Sequence, residues 1–330
     1  MKGLQLNAFG DPSAVVELVD LPDVGAPGPD EVVIDVEAAP VEPTDLYIIQ
    51  GVYGVLPPLP SLLGTHGVGR VSAVGRDVKH LKEGDRTLVP LLGNAWADRV
   101  KTSAPWLRPL PDGDVSQLSM LGINPATAYL LLTEFVPLTP GDWVIVNAAN
   151  SGVGRSVIAI AKARGIRTVN IVRRPEPVDE LKALGGDVVL VDGPDLPQRI
   201  AAATGQPSIA LALDGVGGPA TQPLLDCVEK YGTVVAWSGM SSQPASVSTI
   251  SLLFKGQSIR SFWIVNWLQA QTSFDKVAAM YEELAPMVAS GALSVPVAGE
   301  FSLEQYPQAL AVAGEFRGKV IFKPNASNAA

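Results

Sequence analysis

Small residues crowd one loop of this chain. Ala149-Asn150-Ser151-Gly152-Val153-Gly154 follows an apolar run at 143–146 and leads into a helix-like run at 157–163. The spacing is that of G-x-G-x-x-G, with small side chains in place of the first two glycines. In a strand–loop–helix unit, such a loop brings backbone N–H groups at a helix N-terminus up to a pyrophosphate, and the last glycine lets the helix pack closely on the strand. The expected ligand is a dinucleotide and the expected chemistry is redox. An ordinary tight βα turn carries similar residues, so the reading also draws on its surroundings. A second strand-like run, at 168–172, ends in Arg173-Arg174-Pro175, about twenty residues after the loop. There a cofactor without a 2′-phosphate would call for an acid on its ribose, whereas a guanidinium suits the 2′-phosphate, which favours NADPH over NADH. A solvated arginine pair is the plainer alternative. Loops at 215–218 and 238–240 leave two further strand ends and are candidates to line the ribose and nicotinamide, although glycine is also common turn chemistry.

Metal chemistry has few candidates. His66 and His80 are the only histidines and Cys227 the only cysteine. A catalytic zinc takes three protein ligands. His66 with Glu42 supplies two, and no third stands out. Negative charge developing on a substrate oxygen must then be stabilised by some other group. The single cysteine also excludes an intrachain disulfide.

These residues need a scaffold, and the chain's texture suggests one. Residues 1–120 read as β-rich: Val- and Ile-rich runs at 31–36, 69–74 and 86–90 are separated by Pro, Gly and Asp, and the prolines at 27, 29, 40, 43 and 57–60 exclude long helices. From about 121, strand-like runs (144–146, 168–172, 188–191, 209–213, 233–237) alternate with helical ones (156–164, 178–184, 196–203, 220–228), the texture of βαβ units and a parallel sheet. A helical run at 274–290 precedes a strand at 295–297, a helix at 303–312 and a closing strand at 319–322. The expected division is a β-rich domain of 1–120 with 295–330, and a Rossmann-type domain of 121–294. An apolar fraction of 47% against 17% charged residues argues against disorder, and a net charge of −9 disfavours nucleic acid and anionic membranes as partners. No apolar run reaches the ~18–20 residues of a membrane helix, and no targeting segment stands out, so the expected location is cytoplasmic.

Several longer segments carry a resemblance: PVEPTDLYIIQGVYGVLPPLP, GINPATAY, NAANSGVG, FKGQSIRSFWIVNW and FRGKVIF. The chain resembles the zinc-independent medium-chain dehydrogenase/reductases along essentially its whole length, and among them the trans-2-enoyl thioester reductases of the mitochondrial type and their bacterial relatives. The resemblance implies a GroES-like β-rich catalytic domain joined to a doubly wound Rossmann domain. It implies NADPH-dependent reduction of an α,β-unsaturated thioester, carried by CoA or an acyl carrier protein, within fatty acid metabolism. Tyr53 matches the catalytic tyrosine that holds the thioester carbonyl or supplies the proton. Trp263 matches a pocket tryptophan, with Phe262 and Ile264 beside it near the nicotinamide. Asn124 matches an asparagine near the cofactor, and Asn150, Ser151, Gly152 and Val153 match pyrophosphate contacts. Arg173, with Arg174 after it, matches the 2′-phosphate site. Trp237, Ser238, Gly239 and Met240 match the nicotinamide-side loop, and Lys319 a C-terminal lysine contact.

Several positions depart from that family's pattern or from that of its zinc-binding relatives. Trp237 stands where tyrosine is common, and Arg174-Pro175 replaces a longer basic segment. Thr65 stands where zinc alcohol dehydrogenases place a histidine ligand. Glu42 stands at their cysteine ligand, where the reductases more often have asparagine. On residue type alone, Tyr53 could simply cap an apolar patch, and Trp263 and Trp267 could be core or interface aromatics. A quinone or small-enone reductase on the same fold is the alternative function, and a non-catalytic NADPH-binding sensor a more remote one. The resemblance also implies a homodimer, paired through the sheet edge near 259–264.

Overall fold

The computed structural model describes residues 1–325 apart from Thr272 and Phe316. Phe316 of the closing motif and the tail 326–330 lie outside the described residues. The chain packs as two units, Asn124–Ala270 and Met1–Ile123 with Gln271–Ala330.

In the unit Asn124–Ala270, six strands pair in parallel among the described residues. Their spatial order is Val188–Val191, Arg167–Val172, Trp143–Val146, Leu211–Asp214, Thr233–Ala236, Ser258–Ser261. Counted along the chain this is 3-2-1-4-5-6, so the winding reverses between Trp143–Val146 and Leu211–Asp214. Both of these central strands are buried throughout. That is why they read as short continuous apolar runs rather than as alternating ones. Ile145, Val169, Ile171, Ala212 and Val234 form the sheet's share of the core, and Leu196, Ile200, Leu224 and Leu225 cover it from the helices. The helix Gly152–Ala163 is buried continuously from Val153 to Ala161, as a helix packed on both sides is. It starts four residues earlier than its apolar pattern suggests because Ser151 caps it, accepting the Gly154 N–H at 3.1 Å. The edge strand Ser258–Ser261 ends before Phe262, and Ile264 opens a helix, Ile264–Gln269, rather than extending the strand.

In the other unit, the eleven-residue strand Glu31–Val41 is the hub. It pairs antiparallel with Gly67–Val74, Arg99–Ser103 and Lys319–Phe322. The chain's closing strand therefore lies against Ala39–Val41. Trp96, fully buried, sets its ring edge against Phe322 at 5.0 Å and donates Nε1–H to the Pro40 carbonyl at 3.1 Å. Helices in the Met1–Ile123 segment are short, as its prolines require. Pro43–Gln50 starts with Pro43 in its first turn and stops at Gly51, whose φ of 75° suits glycine.

The helix Phe274–Ala289 packs in this unit, although its sequence placement among the βαβ elements put it in the Rossmann-type one. Its apolar face includes Tyr281, which donates to the Gly122 carbonyl at 3.0 Å and stacks on Trp106 at 5.4 Å. An amphipathic pattern shows that a helix needs a covered face, not which neighbour covers it. The strand expected at 295–297 is instead Val297–Phe301, parallel to Lys319–Phe322. Among the described residues no helix is long and apolar enough to cross a membrane.

Candidate functional site

The carboxyl ends of the parallel strands gather most of the residues singled out from sequence. Each of five strands there runs directly into a loop: Trp143–Val146 into Asn147, Arg167–Val172 into Arg173, Leu211–Asp214 into Gly215, Thr233–Ala236 into Trp237 and Ser258–Ser261 into Phe262. This is the edge where open α/β sheets bind ligands.

The fingerprint loop is tight by construction. A Cβ on Gly154 would lie 2.6 Å from both Cα and the carbonyl oxygen of Ala149, so helix and loop approach more closely than any other residue allows. Ala148 sits at φ 48°, an uncommon conformation for a residue with a side chain. A Cβ on Gly152 would lie 2.9 Å from Cγ of Asn124, which places the buried Asn124 amide against the first turn of the helix. Asn150 is exposed at the loop's tip, Ser151 and Gly152 are half-buried, and Val153 points into the core. Ser151 spends its side chain on the Gly154 N–H, leaving the Gly152 and Val153 N–H groups of the first turn to serve an anion. Arg173 and Arg174 are exposed just beyond the second strand, and Arg174 pairs loosely with Glu176 at 3.8 Å.

Trp237 lies over Gly215: a Cβ there would come within 2.3 Å of the indole. Its Nε1–H is buried and lacks a hydrogen-bond partner, a donor left over for a ligand or water. The Met240 N–H donates to Gly215 and the Ser241 N–H to Val216, so this loop and the preceding one brace each other. Ser238, Gly239 and Met240 are exposed. The Phe262 N–H donates to the Ala236 carbonyl, its ring edge meets Phe135 at 6.0 Å, and Trp263 caps the helix that Ile264 opens. The Gly152 and Gly154 cradle, the leftover indole donor and the exposed Arg173 in place of an acid fit a dinucleotide carrying a 2′-phosphate.

The unit Met1–Ile123 with Gln271–Ala330 holds a buried polar cluster. Glu42, Asp45, Thr65 and His66 are all buried. Glu42 accepts an ion pair from the Lys319 ammonium, and His66 Nε2 stands 3.5 Å from Glu42 Oε1. Asp45 accepts the Glu42 N–H at 2.8 Å, the Thr65 N–H at 2.9 Å and the Thr65 hydroxyl at 3.2 Å. Burial pushes the Glu42 pKa up, but the Lys319 charge and His66 outweigh it and hold the carboxyl at about 2. Burial lifts Asp45 to about 7 against the hydrogen bonds it accepts, with the Glu42 charge adding to the rise. Burial lowers the His66 pKa despite Glu42, so the ring is neutral. The cluster fixes the N-terminus of the helix Pro43–Gln50. Beyond that helix's C-cap, the Tyr53 N–H donates to the Tyr47 carbonyl at 3.2 Å, leaving Tyr53 half-buried between exposed Val52 and Val55.

The structure thus brings Asn124, Asn150, Ser151, Gly152 and Val153 together in one unit, with Arg173, Arg174, Trp237 to Met240 and Phe262 to Ile264 on the same sheet edge. Lys319 and Tyr53 belong to the other unit, where Lys319 is paired with Glu42. Sequence reading missed two groups. Asn147 and Asp214 are buried polar residues at the ends of the two central strands, and a polar residue closing an apolar run was the available signal. The Lys319–Glu42 pair joins residues far apart in the chain, and nothing local announces it.

The chain matches the family model of the alcohol dehydrogenase GroES-like domain over residues 28–128 and that of the zinc-binding dehydrogenases over 152–283. It is 38% identical over 317 residues to the mitochondrial enoyl-[acyl-carrier-protein] reductase of Mus musculus, covering 94% of this chain and 84% of that protein. Its fold is similar to a quinone oxidoreductase of Pseudomonas syringae (TM-score 0.84, 29% identity, 98% and 99% of the two chains). It is also similar in fold to an Etr1p/NADP/crotonyl-CoA complex (TM-score 0.84, 24% identity, the same coverage). The zinc in the second model's description does not fit here. Glu42 is occupied by Lys319, the Thr65 hydroxyl by Asp45, and among the described residues no group of three His, Cys, Asp or Glu side chains could hold a metal ion.

Proposed function

Since the chain belongs to the medium-chain dehydrogenase/reductases, in the branch of the mitochondrial enoyl-[acyl-carrier-protein] reductases, we propose that it reduces the C=C bond of a trans-2-enoyl thioester with NADPH and without a metal. The observation that carries this reading is the 38% identity to such a reductase over 94% of the chain, spanning both units. NADPH, when bound, supplies a hydride to Cβ. The backbone N–H groups of Asn150, Gly152 and Val153 would hold the pyrophosphate, the Ser151 N–H being bonded to the Ala148 carbonyl, and Arg173 would hold the 2′-phosphate. Trp237 to Met240 and Phe262 to Ile264 line the nicotinamide side. The Tyr53 hydroxyl donates to the thioester carbonyl oxygen, where negative charge collects as the double bond is reduced, and Cα then takes a proton from the Tyr53 hydroxyl or from water. A donor placed there strengthens as charge develops and so stabilises the transition state more than the ground state. Exposed Val52, Val55 and Leu56 flank Tyr53 in sequence and suit an acyl chain.

The likeness to a quinone oxidoreductase keeps a second acceptor class in view. An acceptor panel with NADPH decides between them: crotonyl-CoA, a simple enone and a quinone. The thioester reading expects the highest kcat/KM with crotonyl-CoA, and a roughly 100-fold or greater loss of kcat in Tyr53→Phe. Turnover of the quinone alone, or full activity of Tyr53→Phe with crotonyl-CoA, refutes it.

A homodimer through the sheet edge is also proposed. Ser258–Ser261 is the terminal strand, and the preceding helix Thr249–Lys255 exposes Ile250 (66%), Leu253 (71%) and Phe254 (79%). Pairing would cover both the strand edge and these side chains. A sedimentation mass equal to one chain would exclude it.

A further inference from the structure

Asp214 closes the central strand Leu211–Asp214 and is fully buried. Its four donors are all neutral. Oδ1 accepts the Asn147 Nδ2–H at 2.7 Å, the Val216 N–H at 3.0 Å and the Gly217 N–H at 2.9 Å, while Oδ2 accepts the Thr221 hydroxyl at 2.6 Å. Asn147, also buried, closes the neighbouring strand and accepts the Gly215 N–H at 2.6 Å. A carboxylate taken out of water without a cation is costly and persists only when its lone pairs are met this fully.

The position of this network gives it a role. Asn147 and Asp214 lie on the two strands between which the sheet reverses its winding, where such sheets open a crevice for ligand. Asn147 directly precedes Ala148, the residue at φ 48° that starts the fingerprint loop. Asp214 gathers the N–H groups of the loop on the other side, and its own carbonyl accepts the Trp237 N–H at 3.0 Å. The side-chain network therefore ties together two of the ligand-facing loops, and the Asp214 backbone joins the third.

Resting on the NADPH reading above, we propose that Asp214 and Asn147 are positioning residues for the dinucleotide. They hold the loops on either side of the crevice at a fixed spacing before cofactor arrives, so that binding does not have to order them.

The test is NADPH titration by fluorescence on Asp214→Ala, Asn147→Ala and Asp214→Asn, with thermal melting of each apo protein. The two alanine variants should raise the NADPH Kd about tenfold or more, since each frees loop N–H groups from their acceptor. Asp214→Asn should stay within about threefold, because its amide oxygen keeps the Oδ1 donors and its NH2 can donate to the Thr221 hydroxyl. Alanine variants that melt earlier but bind NADPH like wild type overturn the proposal, leaving the network as core structure only. If neither alanine variant folds, hydrogen exchange on wild-type apo protein carries the test. The Gly215, Val216 and Gly217 amides should then be protected without cofactor, and fast exchange there overturns the proposal. Wild-type protein that binds no NADPH overturns the cofactor reading first, and this inference with it.

Discussion

Glu42→Gln is the most exacting test of the buried cluster. The Glu42 side chain is 4% exposed and the Lys319 side chain 12%, so both charges are largely removed from water. A buried pair broken by removal of one partner leaves the other charge uncompensated, at a cost of about 3–5 kcal/mol. Glutamine keeps a carbonyl oxygen for the ammonium, which favours the lower end, about 3 kcal/mol. For a unit of this size, each kcal/mol moves the melting temperature by about 2–4 °C, giving an expected fall of roughly 6–12 °C. Adding Lys319→Met removes the stranded charge, and the double variant should return to within about 4 °C of wild type. The assay is differential scanning calorimetry of the apo protein near pH 7. A Glu42→Gln variant that melts within 2 °C of wild type, or a double variant no more stable than Glu42→Gln, would refute the reasoning.

Three further outcomes are expected. Between pH 4.5 and 2 the unfolded state binds a proton at Glu42 that the folded state refuses, so this contribution to stability is complete above pH 4.5 and is lost on acidification toward 2; denaturant midpoints should show a shallower acid limb in Glu42→Gln. Gly154→Ala puts a methyl 2.6 Å from Ala149 backbone atoms and should cost about 1–3 kcal/mol of stability and weaken NADPH binding at least tenfold, read by melting and titration. Arg173→Ala should raise KM for NADPH roughly 10- to 100-fold, the loss of one charge-assisted contact, and leave KM for NADH nearly constant; an equal effect on both would remove Arg173 from the 2′-phosphate site.

The parallel sheet was legible because its evidence is local. Short buried runs such as Trp143–Val146, each followed by a helical period, are a pattern that depends only on neighbours in sequence. The fingerprint loop and the arginines after the second strand were legible for the same reason, since a tight βα turn and a strand end restrict residue type wherever they occur. Boundaries were less so. The helix at Gly152 starts early because a serine hydroxyl caps it, and Ile264 turns from strand to helix with no break in apolar character.

By itself, then, the sequence determined the type of most segments and which loops follow the parallel strands, because secondary structure and turn chemistry follow from adjacent residues. Only the tertiary structure decided which charges meet. Lys319 reaches Glu42, Asp214 is satisfied by Asn147, and the helix Phe274–Ala289 finds Trp106 and Gly122 through contacts between distant parts of the chain. A buried charge is stable only beside its partner, and that partner is chosen by packing, which one-dimensional spacing does not encode.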